Sequence, residues 1–201
     1  MVVLFLVTTG VSGVFAYDLT IIPGGSQDVT GQSTIYFDIV FNPDTGGNSI
    51  DSYTFFVGYD TGELAWNSSN TSVTPPSPLT TLLGDPSETT PGLIENFNGA
   101  SFSGSAVVIN PTVLATVAFD IAPGINNPAD GLPDVWFDIN PKLGFTIDGA
   151  NVPLTEINIS GVSPDVYVLP EPISMILFVA GGATFGIGSY LRRRKQKTVS
   201  A

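Results

Sequence analysis

Through the middle of the chain, large apolar side chains fall on every second residue. Ile35, Phe37, Ile39 and Phe41 alternate with Tyr36, Asp38 and Val40. Tyr53, Phe55, Val57 and Tyr59 repeat the pattern, as do Val113, Ala115, Val117, Phe119 and Ile121, and then Val135, Phe137 and Ile139. Val107 with Ile109 and Ile157 with Ile159 are shorter cases. Successive side chains of an extended backbone point to opposite faces, so this period predicts strands with one face in a core and the other toward solvent. Turn formers separate the runs: Asn42-Pro43-Asp44-Thr45-Gly46-Gly47, Tyr59-Asp60-Thr61-Gly62 and Pro123-Gly124-Ile125-Asn126-Asn127-Pro128, with Asp148-Gly149 predicting a tight turn. A helical period of 3.6 is absent before residue 173, although Pro78–Leu83 has room for a short helical turn. Residues 67–104, rich in Asn, Ser, Thr and Pro, read as a long loop or insertion inside the domain. Short half-buried strands joined by turns predict an all-β sandwich.

The two ends break this pattern. Residues 1–16, MVVLFLVTTGVSGVFA, are apolar and close on Val14-Phe15-Ala16, which suits a signal-peptidase site, although no Lys or Arg precedes the run. Residues 173–191 carry no charge, and nineteen residues at about 1.5 Å each form a helix of roughly 28 Å, near the thickness of a bilayer core. Arg192, Arg193, Arg194 and Lys195 follow at once, and a basic cluster is retained on the cytoplasmic side. Pro170-Glu171-Pro172 stands immediately before the apolar span. The expected organisation is a signal peptide at 1–16, a β-domain at 17–165 and a C-terminal tail at 166–201 with one transmembrane helix.

The tail's three parts, in this order, resemble the PEP-CTERM sorting signal. The resemblance implies that Pro170, Glu171, Pro172, Arg192, Arg193 and Arg194 form the sorting motif. It also implies that an exosortase-type enzyme in the inner membrane processes the chain. The protein would then reach the cell surface or extracellular matrix of a Gram-negative bacterium.

Charge sharpens the picture of the domain. Residues 17–169 hold one Lys, Lys142, against seventeen Asp and Glu, a net charge of −16. Such a surface repels nucleic acid and anionic lipid. There is no Cys and no His, which removes thiol catalysis, His-based triads, disulfides and His- or Cys-ligated metal sites.

The order of strands brings in a second likeness. Ile35–Phe41 leads through turn residues to Ile50-Asp51-Ser52-Tyr53-Thr54-Phe55-Phe56-Val57-Gly58-Tyr59-Asp60, then Leu64, and later to Leu114-Ala115-Thr116-Val117-Ala118-Phe119-Asp120. This resembles a cohesin-type domain over residues 18–162, which implies a jelly-roll β-sandwich used for adhesion or scaffolding, without catalysis. Pro23-Gly24-Gly25 only approximates the family's Gly-Asp opening, and the segment 67–104 is longer than the pattern.

Candidate sites are few. Asp130 and Asp134, with Asn126, Asn127 and the turn residues between, place several oxygen donors on one loop, the type of ligand Ca²⁺ prefers. An Asx- and Pro-stabilised turn explains the same residues without metal. Trp66, beside a polar loop, is a candidate for stacking on a sugar; Trp136 lies on the face opposite Val135 and Phe137. Asp38, Asp120 and Asp138 occupy the polar phase of their strands, which a solvated sheet face explains better than a glycosidase pair. The expected function is a structural or adhesive binding domain with extracellular polysaccharide or a surface protein as partner. The alternative is a carbohydrate-binding module, with or without calcium.

Overall fold

The computed structural model describes residues 17–122, 132–140, 142–160 and 163–167. The segments at 1–16 and 168–201 lie outside the described residues, and with them the signal peptide, the Pro170-Glu171-Pro172 motif, the apolar span and Arg192–Arg194. Among the described residues no helix is long and apolar enough to cross a membrane.

The chain enters through β1 (Asp18–Ile22), β2 (Ser26–Asp28), β3 (Thr34–Asn42) and the long β4 (Asn48–Tyr59). The middle third contributes β5 (Leu64–Trp66), β6 (Ser72–Val73), β7 (Ser87–Thr90), β8 (Leu93–Ala100) and β9 (Ala106–Val108). The last part contributes β10 (Thr112–Ile121), β11 (Val135–Phe137), β12 (Gly144–Ile147), β13 (Ala150–Pro153), β14 (Asn158–Ser160) and β15 (Asp165–Tyr167). A single 3-10 turn, Leu154–Glu156, interrupts the strands.

Two sheets result. The first has the order β14-β1-β3-β10-β5, with β6 beside β5 on the same edge of β10. The second has the order β13-β12-β4-β8-β7. Its twelve-residue β4 is long enough to pair also with β9 beyond β8 and with β11 beyond β12. Neighbours are antiparallel except β1 with β14, where Asp18 stands against Asn158 and brings the two ends of the domain together. A small parallel ribbon of β2 and β15 sits apart from both sheets.

Alternation decides which face goes inside. Ile35, Phe37, Ile39 and Phe41 are buried on β3, and Tyr53, Phe55, Val57 and Tyr59 on β4. Aromatic rings interlock across the sandwich and along its second sheet. Phe41 of the first sheet stacks on Phe145 of the second at 5.3 Å, Phe145 on Tyr53 at 5.6 Å, and Phe55 on Phe97 at 5.2 Å. Tyr59 meets Phe119 at 5.1 Å and closes the far end. Each such pair adds about 0.5–1.5 kcal/mol beyond the burial of its area. The turn at Asp148-Gly149 joins β12 to β13, with positive φ at both residues (51° and 78°), as a two-residue hairpin turn demands.

The alternation misleads in three places. Val107 and Ile109 are 74% and 66% exposed, while Ala106 and Val108 face the core. In β10 the register shifts between Val113 and Ala115, so Leu114 goes inward as well as Ala115 and Val113 is left 37% exposed. Ile139 lies beyond the end of β11 and is exposed.

The largest correction concerns residues 67–104. They are not one loop: 67–86 is mostly irregular, but Leu93–Ala100 is a strand of the second sheet, paired with β4 from Ser52 to Gly58. The period failed there because Asn96, at φ 69°, sits where the register with β4 shifts. Ile94 and Phe97, three residues apart, therefore both point into the core. Pro78–Leu83 forms no helix; Leu79 is a core residue, and Thr80 exchanges backbone hydrogen bonds with Ala100.

Candidate functional site

β5 and β6 form one edge of the first sheet, and the stretch before β7 runs along an edge of the second. Between them lies a groove of about 450 Å³ lined by Trp66, Thr71, Ser72, Thr81, Asp85 and Pro86, with Ser68 and Val73 at its margin.

Both walls are tied down. On one side the Trp66 indole Nε1 donates to Thr71 Oγ1 at 2.9 Å. The same hydroxyl donates to the Asn67 carbonyl at 2.9 Å and accepts the Ala118 amide at 3.1 Å, so it uses its donor and two acceptor sites. Asn67 holds the turn from its other end: its Oδ1 accepts the Asn70 amide, and its Nδ2 donates to Asp120 on β10 at 2.9 Å. On the other side Asn98 Oδ1 accepts the amides of Leu82 and Leu83, while Nδ2 donates to the carbonyls of Gly84 and Asn96. Asn98 is 2% exposed. A buried amide with four partners is an anchor, and it fixes the stretch that carries Thr81 and Asp85.

Trp66, singled out from the sequence, is therefore half-buried, packed against the core on one side and lining the groove on the other. Trp136 is 37% exposed and covers Gly58, where an added Cβ would collide with the indole. Of the two candidate calcium ligands, Asp130 lies outside the described residues. Asp134 is buried, accepts the amide of Val166 and is hydrogen-bonded to Glu63. Its backbone joins the same corner: the Asp134 amide donates to the Pro164 carbonyl at 2.7 Å, and the Asp134 carbonyl accepts the Asp60 amide at 2.9 Å. Burial pushes the Asp134 carboxyl up to about 7; the Val166 amide opposes that, and Glu63 and Asp165 reinforce it. Among the described residues no group of three or more Asp or Glu is placed to hold a metal ion.

Four other acids, Asp38, Asp51, Asp60 and Asp120, brace the frame. Asp38 accepts from Thr116 Oγ1 at 2.6 Å, and Asp120 from Thr34 Oγ1 at 2.8 Å. Hydrogen bonds from Asn67, and then Thr34, hold the Asp120 carboxyl below its usual range. Asp60 caps its own turn at the Gly62 amide, and Asp51 takes the Ser105 hydroxyl. Among the described residues that line the groove, Asp85 is the one carboxylate. Asn67, Thr71, Asp85 and Asn98 were not visible as site residues in the sequence, because nothing in their spacing shows that they meet. In the run Asn67-Ser68-Ser69-Asn70, read from the sequence as part of a polar loop, Asn67 closes an Asx contact with Asn70.

No protein-family model and no curated protein sequence matches the chain. Solved structures do. A type III cohesin module from the cellulosomal cell-surface anchoring scaffoldin ScaE of Ruminococcus flavefaciens superposes with a TM-score of 0.51 at 13% identity, over 79% of this chain and 91% of that one. A cohesin module from a family 33 glycoside hydrolase of Clostridium perfringens superposes with a TM-score of 0.50 at 13% identity, over 77% of this chain and 98% of that one. The domain has a cohesin-like fold. At this identity the likeness extends to the two-sheet frame. The cohesin-like domain thus keeps the expected all-β sandwich, and its groove is formed by the segment 67–86, part of the stretch that exceeds the family pattern in the sequence.

Proposed function

We propose that this chain is an exported, non-enzymatic module with a structural or adhesive role at the cell surface or in the extracellular matrix. Its partner is extracellular polysaccharide or another surface protein. The observation that carries this reading is the cohesin-like sandwich, whose neighbours include a module from a protein described as a cell-surface anchoring scaffoldin. The acids of its surface support the reading: those on the strands are engaged in bonds that hold the frame. Delivery rests on the sequence. An exosortase-type enzyme would act near Pro170-Glu171-Pro172 while residues 173–191 span the inner membrane and Arg192, Arg193 and Arg194 stay on the cytoplasmic side.

The test is the intact mass of the protein recovered from the cell surface and from the medium. A mass lacking residues 1–16 and the tail beyond about Pro172 supports export and sorting. A mass retaining residues 173–201, with the protein confined to membranes, reduces the tail to an ordinary anchor and removes the sorting enzyme from the scheme.

A second reading, a carbohydrate-binding module, is favoured by one specific observation: Trp66 lines a groove whose other walls carry hydroxyls and a carboxylate.

A further inference from the structure

We propose that the groove between the sheet edges is a binding subsite for neutral oligosaccharides, with the Trp66 ring as its platform and Asp85 as its chief hydrogen-bond acceptor. The inference rests on the carbohydrate reading above and deepens it by naming the residues and the class of sugar.

Size comes first. At about 450 Å³ the groove falls within the range of roughly 300–1,000 Å³ typical of small-molecule sites. Chemistry follows from the lining. A sugar ring presents an apolar face of C–H groups and an equatorial rim of hydroxyls. The first matches an aromatic ring; the second matches short hydroxyl side chains and a carboxylate that can accept from two neighbouring hydroxyls. Trp66 provides the ring, Ser72 and Thr81 the hydroxyls, and Asp85 the carboxylate. Purely apolar ligands would leave these polar groups without partners, a substantial penalty.

Charge selects among sugars. The domain carries −16, and the one carboxylate in the groove would lie in contact with any ligand there. At contact distance that repulsion is not screened by salt, whose Debye length is about 8 Å at physiological strength. Uronate-bearing or sulfated chains are disfavoured, and neutral ones are left. Preorganisation makes the site economical. Thr71 locks the indole, and Asn98 locks the opposite wall, so neither wall must be ordered when ligand arrives.

Trp66 and Trp136 are the two tryptophans of the chain, so Trp136→Phe leaves Trp66 as the sole indole reporter. The full chain with that substitution, in a detergent without a sugar headgroup, is titrated with hexasaccharides of α-1,4-, β-1,3- and β-1,4-linked glucose. A hexamer of galacturonic acid serves as the anionic probe. A saturable change in Trp66 emission with at least one glucose hexamer, and none with the galacturonate, is expected. By calorimetry, Asp85→Asn should weaken that binding by about tenfold, the size of a hydrogen bond to a charged group. Asp85 is exposed, so its melting temperature should hold. Trp66→Ala should abolish binding; if it also unfolds the domain, Asp85→Asn carries the test. The proposal is overturned by a folded protein that responds to none of the glucose hexamers, by unchanged affinity in Asp85→Asn, or by preference for galacturonate. Such a failure leaves the structural module and its mass test untouched, and a retained tail in the mass test leaves this titration untouched.

Discussion

Strands β3 and β10 lie side by side along their length, Thr112 against Phe41 at one end and Asp120 against Thr34 at the other. Each places Phe, Ile or Val inward and Thr or Asp outward, so the pair is held by burial and by a ladder of backbone bonds. The segment 67–86, along the groove, is held otherwise. It is tied by two asparagines and a threonine whose side chains replace missing backbone partners, Asn67, Thr71 and Asn98. The first region is held by pairing that is regular from Ala115 to Asp120, past the one shift at Val113. The second is ordered because a few polar groups are buried and fully bonded, and it is the second that encloses a groove. Regular strands leave flat faces; a concavity needs chain that departs from the sheet and is pinned where it departs.

The comparison breaks most visibly if the regular pair is damaged. Phe119 packs against Phe37 at 6.1 Å and Tyr59 at 5.1 Å, so Phe119→Ala should cost about 3–5 kcal/mol and lower the melting temperature by roughly 10 °C or more. A drop of only a degree or two in a calorimetric scan would mean that the sandwich does not depend on this cluster.

Next in size is the corner at Asp134, which belongs to neither region. Its folded pKa of about 7 lies above the ordinary carboxyl value of 3.8, so the folded chain binds a proton that the unfolded chain has released. Its contribution is fully present below pH 3.8 and is lost as pH rises to about 7. The loss is roughly 2–4 kcal/mol. Melting temperatures should therefore fall between pH 4 and 7. Asp134→Asn should flatten that part of the profile and match the wild-type chain at low pH. An unchanged slope in the variant would show that another group carries the dependence.

Asn98→Leu separates the two regions directly. It removes the partners of Leu82, Leu83 and Gly84 and should cost about 1–3 kcal/mol. Amide exchange should quicken at Leu82 and Leu83 while β3 and β10 keep their protection. Equal quickening in both places would contradict independent pinning of the groove wall. The smallest effect is expected at Thr116→Val, which deletes the bond to Asp38 on an outer face. About 0.5–1 kcal/mol by denaturant titration suffices to show that the frame acids are local braces.

Much of this architecture was legible beforehand. The inward faces of β3 and β4 follow from strict alternation at Ile35–Phe41 and Tyr53–Tyr59, because side-chain direction in an extended strand is a local property. Asp148-Gly149 was legible for the same reason: positive φ is a preference of the residues themselves. β8 was hidden because one residue at φ 69°, Asn96, reverses the phase halfway along, and its bulge has meaning only opposite β4. The site followed the same rule. Trp66 was visible as an aromatic next to a polar loop, but its partner wall at Thr81 and Asp85 is brought near by Asn98, whose bonds span up to sixteen residues. The burial of Asp134 could not be read from the sequence, since it depends on Glu63 and Val166 arriving from elsewhere. The sequence by itself determined the sheet class, the core faces, the acidic surface and the composition of the two ends, all of which are properties of neighbouring residues. Only the tertiary structure decided where the phase slips, which polar groups are buried and what faces what across the groove, because those depend on contacts between residues far apart in the chain.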